Sequence, residues 1–293
     1  MRKLVTSLIT VGFLIFVHST QAGQLALVID DFGYRPVEEH KVIALPNTIS
    51  IAVLPDAPYS RTMATLAHQA GHEVLIHLPM APMSKQPLEI NTLTPEMSQT
   101  QVQSIIEHAI RQVPYAVGLN NHMGSRMTSS LPAMQKVMNV LNHHQLYFLD
   151  SVTIGNTQAV NAARGTSVEV LKRNVFLDDT QDEADIRYQF QRAIKLAQRN
   201  GSAIAIGHPH PTTVKVLQQL LTTLPPDIHL VKLSQLLPHS PTAVQQQRPS
   251  LLVLGANCPR IDPLRQGKPA EGIMIIYTAL RDSQFVRDVK ALF

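Results

Sequence analysis

The recurrence of short apolar runs rich in β-branched residues constrains the fold of this chain more than any other feature. Runs of this kind, bounded by turn residues, are typical of buried strands. Most of them are separated by segments with the three-and-four spacing of amphipathic helices, so the sequence predicts an α/β fold with a parallel sheet. The predicted strands are 25–30, 49–54, 73–78, 116–120, 146–150, 174–178, 202–207 and, more weakly, 228–233.

The helical segments carry start and stop signals of their own. Thr94-Pro95 predicts the start of one helix, and Thr180-Gln181-Asp182-Glu183 has the capping-box pattern before another, which Asn200-Gly201 then ends. Seven or eight strand and helix units between residues 23 and 238 predict an α/β barrel, either open or with seven strands. A doubly wound open sheet is the alternative.

The first 22 residues have the pattern of a secretory signal peptide. A basic start at Arg2-Lys3 precedes an uncharged run over 4–17, and Thr20-Gln21-Ala22 places small residues before the expected cleavage point. The apolar run is shorter than the roughly 20 residues of a membrane-spanning helix, which disfavours an uncleaved anchor. We therefore expect export to a bacterial periplasm, with membrane contact only through the signal peptide. The single cysteine, Cys258, excludes a disulfide framework.

The formal net charge of +4 does not indicate a nucleic-acid-binding protein. Two of the basic residues belong to the predicted leader, and residues 239–293 contain seven Lys or Arg against four acidic residues, so 23–238 is close to neutral. Pro238–Pro249 reads as a linker. The predicted organisation is thus a signal peptide at 1–22, a barrel at 23–238, and a linker with a poorly ordered C-terminal extension at 239–293.

Polar residues stand where most of the predicted strands end. In parallel α/β barrels the carboxyl ends of the strands meet at one mouth, where the chemistry takes place. One aspartate and two histidines there would form a site for a divalent metal such as Zn²⁺ with an open position for water. Taken singly, the aspartates could equally cap a turn and the histidines could bond the backbone. The residues in question are Asp30, Asp31, His77, Asn120, Asn121, His122, Asp150, Asp178, His208 and His210.

Five of these segments, taken in order, resemble the divergent polysaccharide deacetylase family. They are LALVIDDFGYRP, GHEVLIHLPMAPMSKQP, VGLNNHMGSRMT, YFLDSVTIGNT and AIAIGHPHPTT. The family is related to the NodB-type carbohydrate esterases. The resemblance covers about residues 25–238 and implies a distorted (β/α)7 barrel that removes acetyl groups from polysaccharide with the help of a metal.

The resemblance also implies roles for individual residues. In the NodB-type pattern, Asp30 corresponds to the general base, Asp31 and His77 to metal ligands, and His208 to the general acid. The family's second ligand histidine is replaced here by Ala81, so His122 is the expected third ligand. Asn121, Asp150, Asp178 and His210 are expected to contact substrate or to position the other groups, with Asn121 considered as an oxyanion donor.

These roles predict a periplasmic, metal-dependent hydrolase acting on peptidoglycan or another envelope glycan, with zinc as the expected metal. A barrel that binds a glycan or an envelope protein without turnover is the alternative, because the loss of a ligand at Ala81 could leave the site weak or empty. The two hypotheses differ in whether a bound metal is accompanied by hydrolysis.

Overall fold

A nine-stranded, all-parallel sheet organises the computed structural model, which describes residues 22–238. The apolar runs form these strands because a strand in a parallel sheet is covered on both faces. The strands are β1 (Gly23–Phe32), β2 (Ser50–Val53), β3 (Glu73–Met80), β4 (Ala116–Met123), β5 (Tyr147–Asp150), β6 (Val170–Lys172), β7 (Val175–Phe176), β8 (Ser202–Gly207) and β9 (Ile228–Leu230).

The strand order, β6-β5-β4-β3-β2-β1-β8-β7, brings the two ends of the sheet together in the chain. Only residues 173 and 174 separate β6, which pairs with β5, from β7, which pairs with β8. The backbone N–H of Arg173 donates to Asp150 O, and that of Asn174 donates to Ile204 O. Residues 170–176 therefore act as one interrupted strand that passes from β5 to β8 and closes the sheet into a ring of seven strands.

This ring confirms the predicted distorted (β/α)7 barrel, and the doubly wound open sheet is not the fold. Strand β6 lies outside the predicted 174–178 because its three residues are too short to give a periodic signal. The weakly predicted run at 228–233 forms β9, which is not part of the ring and pairs with the first residues of β1.

The barrel interior is filled by every second residue of the strands, as the pleat requires. Val28, Leu75, Leu149 and Ile206 belong to this inner cluster. At the end where the strands begin, the segment after β9 closes the barrel with the buried side chains of Val231 and Leu233, and partly buried Leu236 and Leu237 pack against the same cluster. We call residues 231–237 the plug.

Two carboxylate oxygens of Glu73 hold the plug and the barrel wall together. Glu73 Oε2 accepts from Ser234 N and Oγ, and Oε1 accepts from the Tyr147 hydroxyl. The Tyr147 ring lies across Gly118, where a Cβ atom would come within 2.7 Å of it. Glycine at this inward position of β4 therefore makes room for the tyrosine.

Eight α-helices accompany the described part of the sheet, and their ends follow local capping. Helix α3 begins directly after its N-cap Ser98, which forms a capping box with Gln101 in the first turn, and not at Thr94-Pro95. In α7 the cap is Asp182 and not Thr180, while Gly201 ends the helix in the left-handed conformation as predicted. The helices are α1 (Pro36–Ile43), α2 (Ser60–Gln69), α3 (Gln99–Gln112), α4 (Ser125–Thr128), α5 (Leu131–His144), α6 (Ala159–Ala163), α7 (Glu183–Asn200) and α8 (Pro211–Leu220).

Within residues 22–238, every helix is too short or too polar to cross a bilayer. The predicted signal peptide, apart from Ala22, and the predicted extension at 239–293 lie outside the described residues.

Candidate metal centre and active site

Three side chains at the mouth of the barrel bring potential metal ligands to the corners of an equilateral triangle. Asp31 Oδ1 lies 3.2 Å from His77 Nε2 and 3.2 Å from His122 Nδ1. The two imidazole nitrogens are also 3.2 Å apart. These are the three residues that are predicted from the sequence to be the metal ligands.

Strand register explains why the two histidines meet. His77 of β3 is the register partner of Asn120 of β4, and His122 is two residues further along the same strand. Side chains two residues apart point to the same face, so His122 stands beyond Asn120 and above His77. His77, Asn120 and His122 all point into the barrel, on the strand face that carries apolar residues such as Leu75 deeper in the interior.

Asp31 reaches the same site through an irregular backbone. In a regular strand it would point away from its neighbour Asp30, but its φ of 58° is left-handed and the register of β1 with β2 shifts between Ile29 and Phe32. This bulge turns two consecutive carboxylates toward one centre.

The loop after Asp31 is fixed by the buried side chain of Glu39. Its Oε1 atom accepts from three successive backbone N–H groups, Gly33 at 2.9 Å, Tyr34 at 3.0 Å and Arg35 at 2.7 Å. Burial raises the pKa of Glu39, against the effect of these donors. The bulge is therefore held from both sides, by the sheet and by this carboxyl group.

Asn120 connects the predicted base to a predicted ligand. Its Nδ2 atom donates to both oxygens of Asp30, at 2.9 and 3.0 Å, and its Oδ1 atom lies 2.8 Å from His77 Nδ1. Because Oδ1 can only accept, His77 carries its proton on Nδ1 and turns the Nε2 lone pair toward Asp31 and His122. No role is predicted for Asn120 from the sequence, although it lies on the inward face two residues before His122.

The triangle fits a tetrahedral divalent metal such as zinc. Ligand atoms at about 2.0–2.1 Å from zinc stand about 3.3–3.4 Å apart, close to the 3.2 Å seen here. Asp31 Oδ1 is buried and accepts no well-aligned hydrogen bond from the described residues.

Burial opposes ionisation of Asp31, but His122 and His77 outweigh it and lower the pKa of the carboxyl group. Likewise burial opposes the imidazolium of His77, yet Asp30 and Asp31 raise its pKa. The site thus favours positive charge.

His122 has a partner on its other nitrogen. Glu89, on the long segment between β3 and α3, places Oε1 3.1 Å from His122 Nε2. With that proton donated to a carboxylate, the Nδ1 atom is free to bind a metal, as in many carboxylate–histidine–metal arrangements. No strand periodicity or cap marks Glu89 in the sequence, so only the structure identifies it.

Asp30 is a deeply buried carboxyl group of the site. Its side chain is 2% exposed, and its Oδ2 atom lies 3.6 Å from His77 Nδ1. Burial raises the pKa of Asp30, although His77 and His208 act in the opposite direction. A carboxylate of raised proton affinity beside a metal site is suited to taking a proton from water.

His208 faces the cleft with its other side held by Asp178. Its Nδ1 atom is 2.9 Å from Asp178 Oδ1, while Asp178 Oδ2 accepts from the His208 backbone and from Thr213 Oγ1. Burial opposes protonation, but the bond to Asp178 and its charge raise the pKa of His208 to about 9. His208 is therefore an imidazolium at neutral pH and can give a proton to a leaving group.

The other predicted residues are placed differently. Asn121 accepts from Ser151 N and donates to Met123 O, so its amide joins two loops and does not face the triangle. Asp150 accepts from Val152 N and touches neither ligand histidine within hydrogen-bond distance. Both stand one residue away from inward positions. Ala81 is buried, and its methyl group cannot bind a metal. His122 supplies the third ligand atom of the triangle instead.

A cleft of about 230 Å³ opens above the triangle. His210 lies on its rim, with Nδ1 2.9 Å from Arg35 Nη1 and Nε2 3.2 Å from the Gln181 amide. Asp178, His208 and His210 form a second group of neighbouring metal-binding atoms, but their contacts with one another, Thr213 and Arg35 already use most of them. The charged and titratable residues that line the cleft are Asp31, Tyr34, Arg35, Glu89, His122, His208 and His210.

Comparison with known proteins identifies the family and agrees with the fold. The profile of the family described as divergent polysaccharide deacetylase matches residues 27–237. Protein YibQ of Escherichia coli is 69% identical over 216 residues, which cover 74% of this chain and 68% of that protein. A protein of Haemophilus influenzae is 44% identical over 214 residues, 73% of this chain and 76% of its own. A crystal structure from Agrobacterium tumefaciens has the same fold, with a TM-score of 0.68 and 20% identity over 74% of this chain and 90% of that one.

Proposed function

The chain belongs to the divergent polysaccharide deacetylase family, and from this premise we propose that it is a metal-dependent hydrolase that removes acetyl groups from a glycan. The observation that carries the proposal is the 3.2 Å triangle of Asp31, His77 and His122 with Asp30 and His208 beside it. Asp31, His77 and His122 would hold the metal, for which zinc is the best candidate, since two imidazoles and a carboxylate suit it.

A metal bound at the triangle would supply polarisation of the acetyl carbonyl and a water of lowered pKa. Asp30 takes a proton from the attacking water, for which its burial and raised pKa suit it. Asn120 holds both carboxylate oxygens of Asp30 and keeps His77 in the ligating tautomer. His208 delivers its proton to the departing amine or alkoxide, and Asp178 keeps the imidazole oriented.

We further propose that the substrate is a glycan of the cell envelope and that the chain works in the periplasm after loss of residues 1–22. The support is the leader pattern in the sequence together with the family's polysaccharide chemistry. Peptidoglycan is the first glycan that an exported barrel of this kind meets.

Metal analysis tests the proposal. The exported chain, purified without chelator and supplied with zinc, is expected to hold about one metal ion, and Asp31→Ala, His77→Ala and His122→Ala each to lose most of the affinity. Asp30→Asn should keep the metal but release no acetate from acetylated glycans, because the isosteric amide cannot take the proton. His143→Ala, on the exposed end of α5, is the matched histidine control.

Absence of metal binding after zinc addition would contradict the hydrolase proposal and favour the non-catalytic glycan-binding barrel. Metal binding that survives His122→Ala would show that the third ligand has been assigned wrongly. Release of acetate by the Asp30→Asn chain at the unmodified rate would remove Asp30 from the mechanism.

A further inference from the structure

Arg35 is a cation of the active-site cleft for which the described residues provide no counter-charge. Its guanidinium donates from Nη1 to His210 Nδ1 at 2.9 Å, which is its one hydrogen bond among residues 22–238. No carboxylate of those residues comes within 4.0 Å of it, although Asp31 and Glu89 line the same cleft and Asp178 lies behind His208.

Those three carboxylates are already engaged. Asp31 faces the two ligand imidazoles, Glu89 faces His122 Nε2, and Asp178 faces His208. His210 does not neutralise Arg35 either, because an imidazole carries no negative charge and only accepts the hydrogen bond from Nη1; burial and the nearby cations His208 and Arg35 lower its pKa, which keeps the ring neutral. The guanidinium therefore keeps its full charge at the rim of a cleft into which a substrate must enter.

The position of Arg35 is fixed, and it is close to the proton donor. Its backbone N–H donates to Glu39 Oε1 at 2.7 Å, and Pro36 follows as the first residue of α1. The ring of His210, which its side chain contacts, has its centroid 5.7 Å from that of His208. One imidazole thus separates the guanidinium from the group that protonates the leaving group.

We propose that the cleft recognises an acidic glycan, in which a carboxylate on the acetylated sugar or on its immediate neighbour is bound by Arg35. The planar guanidinium presents a fork of N–H donors that matches the two oxygens of a carboxylate. The inference rests on the proposed function, since it adds the substrate class to the same site.

Binding without turnover gives the test. The zinc-loaded Asp30→Asn chain is titrated by calorimetry with an oligosaccharide of alternating N-acetylglucosamine and N-acetylmuramic acid, and then with its carboxyl methyl ester. The free acid is expected to bind about ten-fold tighter or more, as for a hydrogen bond between charged groups. Adding Arg35→Gln should abolish this difference, Arg35→Lys should restore part of it, and Arg164→Gln, an exposed arginine on another loop, should leave it unchanged.

Equal affinity for acid and ester, a preference that persists in Arg35→Gln, or no binding of either ligand would each overturn the inference. A preference for a phosphorylated oligosaccharide over the carboxylated one would overturn the assignment to a carboxylate. The proposed function is measured separately by acetate release from the Asp30-containing chain. Arg35-dependent binding without acetate release would leave the inference standing and remove the hydrolase. Acetate release at equal rates from the acid and the ester would support the hydrolase and overturn the inference.

Discussion

Inward and outward alternation decides which polar residues at the mouth can act together. Val28, Leu75 and Ile206 face the barrel interior, and two residues further along each strand stand Asp30, His77 and His208. Counting by two from the interior therefore identifies most of the site from sequence alone. The same count shows that Asp150 and Asn121 are out of phase, which is why the structure places both of them in loop contacts.

The alternation of inward and outward residues does not identify Asp31 or Glu89, for different physical reasons. Asp31 joins the site only because a bulge and a left-handed φ break the alternation. Glu89 belongs to a long segment without periodicity, and its partner His122 is distant in sequence. The motif resemblance supplied Asp31, and nothing in the sequence supplied Glu89 or the bridging role of Asn120.

The pKa of His208 gives a prediction at this scale. In the metal-free chain, NMR titration should find His208 protonated up to about pH 9, and Asp178→Asn should move the titration to lower pH because it removes the main favourable partner. Acetate release that depends on the imidazolium should fall at high pH as His208 loses its proton, and it should fall at lower pH in the variant than in the unmodified chain.

The same shift has a consequence for stability. A folded pKa above the unfolded value near 6.5 stabilises the fold fully below that value, and the contribution is lost as the pH rises through about 9. An unchanged His208 titration in Asp178→Asn would contradict the role given to Asp178.

Among the elements, those with strong periodicity were predictable and their boundaries were not. In α7 one apolar face is buried, and Gly201 ends the helix as expected; the buried residues are Ile186, Phe190, Ala193, Ile194 and Ala197. The start of α7 cannot be predicted to the residue, because Thr180, Asp182 and Glu183 give overlapping capping patterns. Only the backbone conformation shows that Asp182 is the cap. The Asp182 side chain accepts from Ala184 N at 2.8 Å and from Asp185 N at 3.2 Å.

Two single substitutions test this cap. Asp182→Ala should lower the free energy of unfolding by about 1 kcal/mol, since two N–H groups lose their acceptor and a negative charge leaves the helix N-terminus. Thr180→Ala is the matched control and should have no measurable effect. Urea unfolding followed by circular dichroism measures both, and an equal loss in the two variants would show that the helix begins elsewhere.

For the whole molecule, the seven-strand count was predictable but the way the barrel closes at its base was not. The run at 228–233 looked like an eighth strand of the ring, because a sequence pattern cannot distinguish wall from plug. In the structure its first residues pair with β1, and the chain then crosses the base, where Ser234 bonds to Glu73.

His72 and Glu73, at the start of the segment GHEVLIHLPMAPMSKQP, have structural roles. His72 Nδ1 lies 2.8 Å from Ile49 O and Nε2 lies 2.9 Å from Ile43 O.

Truncation distinguishes the contribution of the plug from that of residues 239–293. A chain ending at Pro238 should keep a cooperative melting transition and the metal affinity of the full chain. A chain ending at Leu230 should lose roughly 3–6 kcal/mol, because Val231 and Leu233 no longer cover the interior. That is a large part of a typical domain's stability. Calorimetric melting of both chains measures the effect, and equal melting temperatures would contradict the role of the plug.

The strand at residues 170–176 also bears on how the protein avoids self-association. An open sheet presents two unpaired edges that can template strands of other molecules. Here the two ends of the sheet are successive parts of one strand, and side chains continue the bonding where the ladder changes partner: Asn174 Oδ1 accepts from Ile204 N, and Arg173 donates to Ser151 O and Val152 O. The barrel wall therefore offers little free backbone for edge-to-edge aggregation, a property that suits the periplasmic location we propose, where cytosolic chaperones do not reach.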